Sequence, residues 1–186
     1  MSLYYYMMSS LPSLSFDERA PFTMESFLEH CKGNITDSDY DDLCSLTLAG
    51  NDACTFTRKW KEFYGKFINT LTSQRCRKHS VSVESVMDED FAISNCVSHA
   101  IAMSYGETGT REPLEAELFM LRFLFQNADN MIGLAQFDQT ALFGYAVKLL
   151  LLLRKDEFSV LEGKAEYKRL FCNMQSIIFD TKNKLE

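Results

Sequence analysis

The residue types that could do chemistry in this chain are scattered, and their spacing argues against most of it. The three histidines are His30, His79 and His99, and no two stand at the i, i+4 spacing that sets a pair of imidazoles on one helix face. A zinc site would need at least three ligands converging from distant segments. His30 precedes Cys31, but adjacent residues on a helix point apart, so adjacency makes no nucleophile–base pair. Cys76 stands between Arg75 and Arg77, and cations lower a thiol pKa. That leaves two readings, a reactive thiol or a partly buried cysteine on a basic helix end. Asp37-Ser38-Asp39-Tyr40-Asp41-Asp42 has the outline of a calcium loop but lacks the central glycine and the closing glutamate. A helix start capped at Thr36, with acids on its first turn, fits better. Gly106 and Gly109 are not followed by Gly-Lys-Ser/Thr, so they cradle no phosphate. Glu115 and Glu117 fall where a helix carries solvated charge, and neither G-x-S-x-G nor H-E-x-x-H occurs. The expectation is a chain with no catalytic, cofactor or metal residues and no small-molecule substrate.

Residues suited to contact are more prominent. Tyr4-Tyr5-Tyr6 runs into Met7-Met8 and then Leu11-Pro12-Ser13-Leu14. A terminal segment this apolar is expected to dock against something. Arg75, Arg77, Lys78 and His79 gather four basic residues at one helix end, where they are either charge matched to the helix dipole or a contact for an acidic helix or an anionic headgroup layer. Tyr105 lies in the glycine- and threonine-rich stretch Ser104 to Thr110, the best candidate for a hinge.

The elements that must position these residues read as helices. Only three prolines occur, the last at 113. Phe56, Trp60, Phe63, Tyr64, Phe67, Ile68 and Leu71 fall on one face of a helix, and Gly65 within it is expected to admit a close neighbour. Helices are also predicted over Thr23 to Lys32, from a Thr36 cap through Leu43 and Leu46 to a stop at Gly50-Asn51, from Pro113 through Phe125, from an Asp138 cap through Leu153, and over Leu161 to Ile178. Ser82 to Met103 reads as helical but broken. The residues before Pro21 read as extended or mixed, and Ser80 to Val83 is the one weak strand signal. The run Leu149 to Leu153 is apolar all round and should lie at the centre of the core, with Leu149 and Leu153 almost fully buried.

Length and composition bound the rest. The chain has 186 residues, 46% of them hydrophobic and 13% aromatic, enough for one domain or two small subdomains with a real core. Its net charge of −7, with only 19 Lys and Arg, makes a general nucleic-acid binder a poor fit. Six cysteines form no C-x-x-C and are read as reduced thiols in a cytoplasmic protein. The longest apolar run, Ala141 to Leu153, is too short to span a bilayer. The expectation is all-α, a helical bundle or orthogonal helical domain over 1–184, with a subdomain hinge at 104–111. Leu185-Glu186 is set aside as having the look of a cloning remnant.

Taken together, four stretches resemble a known family. They are the Tyr-Tyr-Tyr…Leu-Pro-Ser-Leu opening, the aromatic helix from Trp60 to His79, Glu112-Pro113-Leu114-Glu115-Ala116-Glu117 leading to Leu121-Arg122-Phe123, and Gly144 to Leu150 followed by Gly163-Lys164. In this order they resemble a bacterial family encoded among V-type ATPase subunits. That family is itself similar to the C-type stalk component of the V-type ATPase, the d-type component in eukaryotes. The stretch from Leu48 to Trp60 is shorter than in longer relatives, which carry extra helices there. The resemblance implies an all-helical funnel on the cytoplasmic face of the membrane. It would be a non-catalytic socket that joins the axle subunits of the ATPase to its membrane rotor ring during ion transport. Tyr4, Tyr5, Tyr6, Arg75, Arg77, Lys78 and Tyr105 are then the candidate partner-binding residues. The alternative is a free-standing helical interaction or regulatory module, in one version a homodimer.

Overall fold

Helical periodicity is realised through most of the described residues. A computed structural model describes residues 3–81, 90–107, 109–158 and 160–183. They form α1 (Leu3–Ser10), α2 (Met24–Cys31), α3 (Asp37–Cys44), α4 (Thr55–Lys78), α5 (Phe91–Tyr105), α6 (Pro113–Ile132), α7 (Gln139–Asp156) and α8 (Val160–Asn183). No strand occurs among the described residues. Residues 82–89, the first part of the helical pattern read from Ser82 and half of the weak strand signal, lie outside them. The chain divides into Met1–Lys155 and Asp156–Glu186, and the 104–111 stretch joins α5 to α6 inside the first of these.

Local chemistry accounts for the helix ends. Thr23 and Thr36 accept from the backbone N–H groups of Ser26 and Asp39 and so cap α2 and α3. Cys54 and Thr57 form a reciprocal capping box at the start of α4. Asp90 accepts from Ala92 and Ile93 at the start of α5, and Asp138 accepts from Ala141 at the start of α7. Pro113 takes the first position of α6, where its missing N–H costs nothing. Gly106 ends α5 in the left-handed region at φ 80°, which a residue with a Cβ resists.

In the first unit α5 packs along α6 and α4, α4 also meets α6, and α2 meets α3. α7 is the most deeply buried helix: Leu142, Phe143, Ala146, Val147, Leu149, Leu151 and Leu152 are inaccessible to solvent. Leu149 is where the apolar run placed it. Leu153 is not, being only half-buried, because α7 reaches the surface in its last turn, where Arg154 and Lys155 stand. Trp60 fixes α4 to the preceding loop by donating Nε1–H to Leu48 O at 2.9 Å.

Two further expectations fail. The helix read from Thr36 to Gly50 ends at Cys44, and Leu46 reaches the core from the segment that follows. The opening segment, read as extended or mixed, is mixed, since residues from Leu3 to Ser10 form α1, with Met7 buried in the core. Tyr4, Met7, Met8 and Leu11 pack on the core at i, i+3, i+4 and i+7, and the Ser9 and Ser10 hydroxyls donate back to carbonyls one turn earlier. Gly65 admits no close neighbour, because a Cβ built there meets nothing within 4 Å. The glycine that does is Gly144 on α7, where an added Cβ would fall 2.3 Å from Ile132 Cγ1.

The second unit holds α8. Its described side chains, Gly163 to Met174, are all exposed.

Candidate functional site

Two places in the first unit collect the residues singled out from sequence. In the first, the three tyrosines of α1 have different duties. Tyr4 turns inward and donates its hydroxyl proton to Asp39 Oδ2. The same carboxylate accepts from Thr36 Oγ1 at 2.7 Å and, through Oδ1, from Gln139 Nε2 at 2.5 Å. Asp39 is only 6% exposed, so one buried carboxylate ties together α1, α3 and the start of α7. Burial alone would raise the Asp39 carboxyl, but the bonds from Tyr4, Thr36 and Gln139 outweigh it and hold the group below the usual carboxylate range. Burial, reinforced by the bond to Asp39 and by its charge, pushes the Tyr4 hydroxyl up to about 12. The acidic stretch that resembles a calcium loop is therefore a helix start whose third residue faces inward.

This clamp presents an aromatic patch. Tyr5 and Tyr6 face outward, 6.3 Å apart and edge to face. Tyr5 also packs on Phe137, at 4.7 Å between ring centroids, from the loop that joins α6 to α7. Tyr6 is 72% exposed and Leu134 of the same loop is 97% exposed. Leu134 and Phe137 are functional candidates that sequence reasoning misses. The available signal is an apolar pair inside a loop bounded by Gly133 and Asp138.

The second place is the end of α4, and here the basic cluster separates. One residue along a helix is about 100° of rotation, so Arg75 and Arg77 face different sides. Arg77 and Lys78 border a polar hollow with Gln74, Ser94 and Ser98 of α4 and α5, whereas Arg75 borders a pocket between α4 and α6. Lys78 pairs with Glu107 and lies 5.5 Å from the centre of the Tyr105 ring. Tyr105 Oη and His79 Nε2 are hydrogen-bonded at 2.7 Å. Gln74 knits the two helices by donating to Ser94 and accepting from Ser98 at 3.0 Å. Tyr105 thus joins Lys78 and His79, and Arg75 does not.

Ser10, Cys31 and Cys96 are engaged in structure. Ser10 Oγ donates to Met7 O at 2.8 Å and lies 3.1 Å from His30 Nε2. Burial pushes the Cys31 thiol up to about 12 and the Cys96 thiol up to about 11, which keeps both protonated. All six cysteines are free thiols, and Cys76 is half-buried on α4. Among the described residues no three His, Cys, Asp or Glu side chains gather as a metal site, and no helix is long and apolar enough to cross a membrane.

α8 carries a third apolar feature. Tyr167, Leu170, Phe171 and Met174 repeat at i, i+3, i+4 and i+7 and are all exposed, with the Tyr167 and Phe171 rings stacked at 6.2 Å. No family model, no curated protein and no solved structure matches this chain.

Proposed function

We propose that this protein is a non-catalytic coupling component of a V-type ATPase, a socket that joins the axle subunits to the membrane rotor ring at the cytoplasmic face of the membrane. The observation that carries the binding role is the outward patch of Tyr5, Tyr6 and Phe137, seated on a buried hydrogen-bonded clamp, with the exposed Leu134 in the same loop as Phe137. Exposed aromatic side chains held on a rigid base are the type of surface that concentrates binding energy at interfaces. A part that transmits torque needs such a base, since a patch on a mobile segment would lose the load. The basic end of α4 adds charge that favours an acidic partner, which affects association rate and specificity more than affinity. The all-helical architecture is compatible with a funnel of the kind the resemblance implies, and the assignment to the ATPase itself rests on the four stretches of sequence resemblance.

The test is to mix the wild-type protein with the axle subunits and the detergent-solubilised ring of the same organism and follow sedimentation. A complex at low micromolar concentration is the expected outcome. Absence of binding to either component would remove the socket reading.

A second reading has its own support. The exposed stripe of α8 fits a free-standing helical interaction module, in one version a homodimer. Sedimentation velocity of the isolated chain between about 1 and 100 µM, a range that brackets micromolar self-association, tests this version. A concentration-dependent dimer lost on Phe171→Glu supports it, and a monomer throughout removes it.

A further inference from the structure

Arg75 stands beside Arg77 and Lys78 in the sequence, yet its surroundings are different in kind. It borders a pocket of about 200 Å³ between α4 and α6. Tyr64, Phe67, Ile68 and Leu71 line one wall, and Met120, Leu121 and Leu124 line the other. On α4 these residues and Arg75 follow the spacing i, i+3, i+4, i+7 and i+11, which puts the cation on the same helix face as the apolar wall. Leu48, Glu117 and Arg154 complete the lining, and Arg154 donates to Glu117 Oε1 at 2.8 Å. That carboxylate is occupied by its own partner. The Arg75 guanidinium is exposed and makes no ion pair among the described residues. In a chain of net charge −7, this pocket therefore carries a local positive charge.

The size and the polarity define what would fit. An apolar cavity of about 150 Å³ accommodates benzene, so this volume suits one phenyl ring or a short branched acyl chain with a one- or two-carbon linker. A guanidinium presents paired N–H donors matched to a carboxylate. We propose that the pocket binds a small apolar body bearing one carboxylate, with the body against the α4 and α6 walls and the carboxylate on Arg75. Its source is either a free aryl or acyl acid or the C-terminal residue of a polypeptide. The proposal goes beyond the coupling role and stands or falls separately from it, since it needs neither the axle nor the ring.

The probe is 3-phenylpropionate, titrated into the full chain and followed by amide NMR. The control is 3-phenylpropan-1-ol, which has the same body without the charge. The expected result is saturable shifts confined to α4 near 64–75 and α6 near 117–124, with the acid binding at least about tenfold more tightly than the alcohol, a ratio in the range of one charge-assisted hydrogen bond. Arg75→Gln is a surface change and should erase that tenfold difference while leaving the weak binding of the alcohol. Ile68→Trp, which fills the mouth from a partly exposed position, should abolish both. Acetyl-Gly-Gly-Phe binding more tightly than 3-phenylpropionate, with loss on C-terminal amidation, assigns the carboxylate to a chain terminus; the reverse order assigns it to a free acid. Equal binding of acid and alcohol, undiminished binding in Arg75→Gln, or shifts spread away from α4 and α6 would overturn the proposal.

Discussion

The clamp under the aromatic patch and the basic end of α4 both use charge, but in opposite settings. At the clamp a single carboxylate is almost removed from water and has three side-chain donors. At the end of α4 the charges stand in solvent, and Lys78 meets Glu107 with both side chains well exposed. A buried, fully hydrogen-bonded charge fixes geometry, because losing one partner strands the others. An exposed pair fixes little and contributes little to stability, but its field reaches out to an approaching molecule. The first region is thus a foundation and the second a guide.

The largest test of that difference is stability. Asp39→Ala should cost about 2–4 kcal/mol, since it leaves the Tyr4 hydroxyl and the Gln139 amide without their acceptor. Lys78→Ala should cost less than about 1 kcal/mol. Urea unfolding of both variants measures this, and similar losses would erase the distinction.

Packing should show the same contrast. Gly144→Ala forces a Cβ against Ile132 and should destabilise by about 1–3 kcal/mol. Gly65→Ala on α4 points into open space and should stabilise by up to about 1 kcal/mol through helix propensity. Opposite signs in thermal melts of the two variants are the expected outcome.

Acid should sharpen the comparison further. The Asp39 carboxyl is held below its ordinary value of 3.8, so the stability it contributes is complete above that value and is lost as pH falls through the lower, folded-state value. Tyr4 acts in the other direction: with its hydroxyl raised to about 12 from 10.0, its contribution is lost as pH rises between those values. Asp39→Asn should flatten the acid limb of a stability–pH curve and Lys78→Ala should leave it unchanged. An unaltered acid limb in Asp39→Asn would show that the carboxylate is not the linked group.

How far the sequence can be read follows from what each feature depends on. α4 is legible because repeated apolar spacing at 3.6 residues leaves a strong trace, and the burial of Leu149 because a helical run that is apolar all round belongs at the centre. α1 escapes notice although Tyr4, Met7, Met8 and Leu11 have that spacing, because an unbroken run of tyrosine and methionine conceals its period. Gly65 and Gly144 cannot be told apart from sequence, since the deciding neighbour of Gly144 is Ile132 on another helix. Arg75, Arg77 and Lys78 look like one cluster along the chain, yet helical rotation divides them between a pocket and a polar hollow. The inward turn of Tyr4 depends on Asp39, 35 residues away, and the clamp is completed by Gln139, another 100 residues on. No local pattern reports such a meeting.

The smallest expected effect on the fold is also the one closest to function. Tyr6→Asp, Leu134→Asp and the pair Arg77→Glu with Lys78→Glu alter exposed side chains and should leave the melting curve within about 2 °C of wild type, the scale expected of surface substitutions. Under the proposed coupling role, their effects belong in binding kinetics with the axle subunits and the membrane ring of a V-type ATPase, measured on immobilised protein at two salt concentrations. The account predicts that Tyr6→Asp and Leu134→Asp raise the dissociation rate at either salt, and that the charge reversals lower the association rate only at low salt. Wild-type protein that binds neither component, or patch variants that dissociate no faster than wild type, would contradict it.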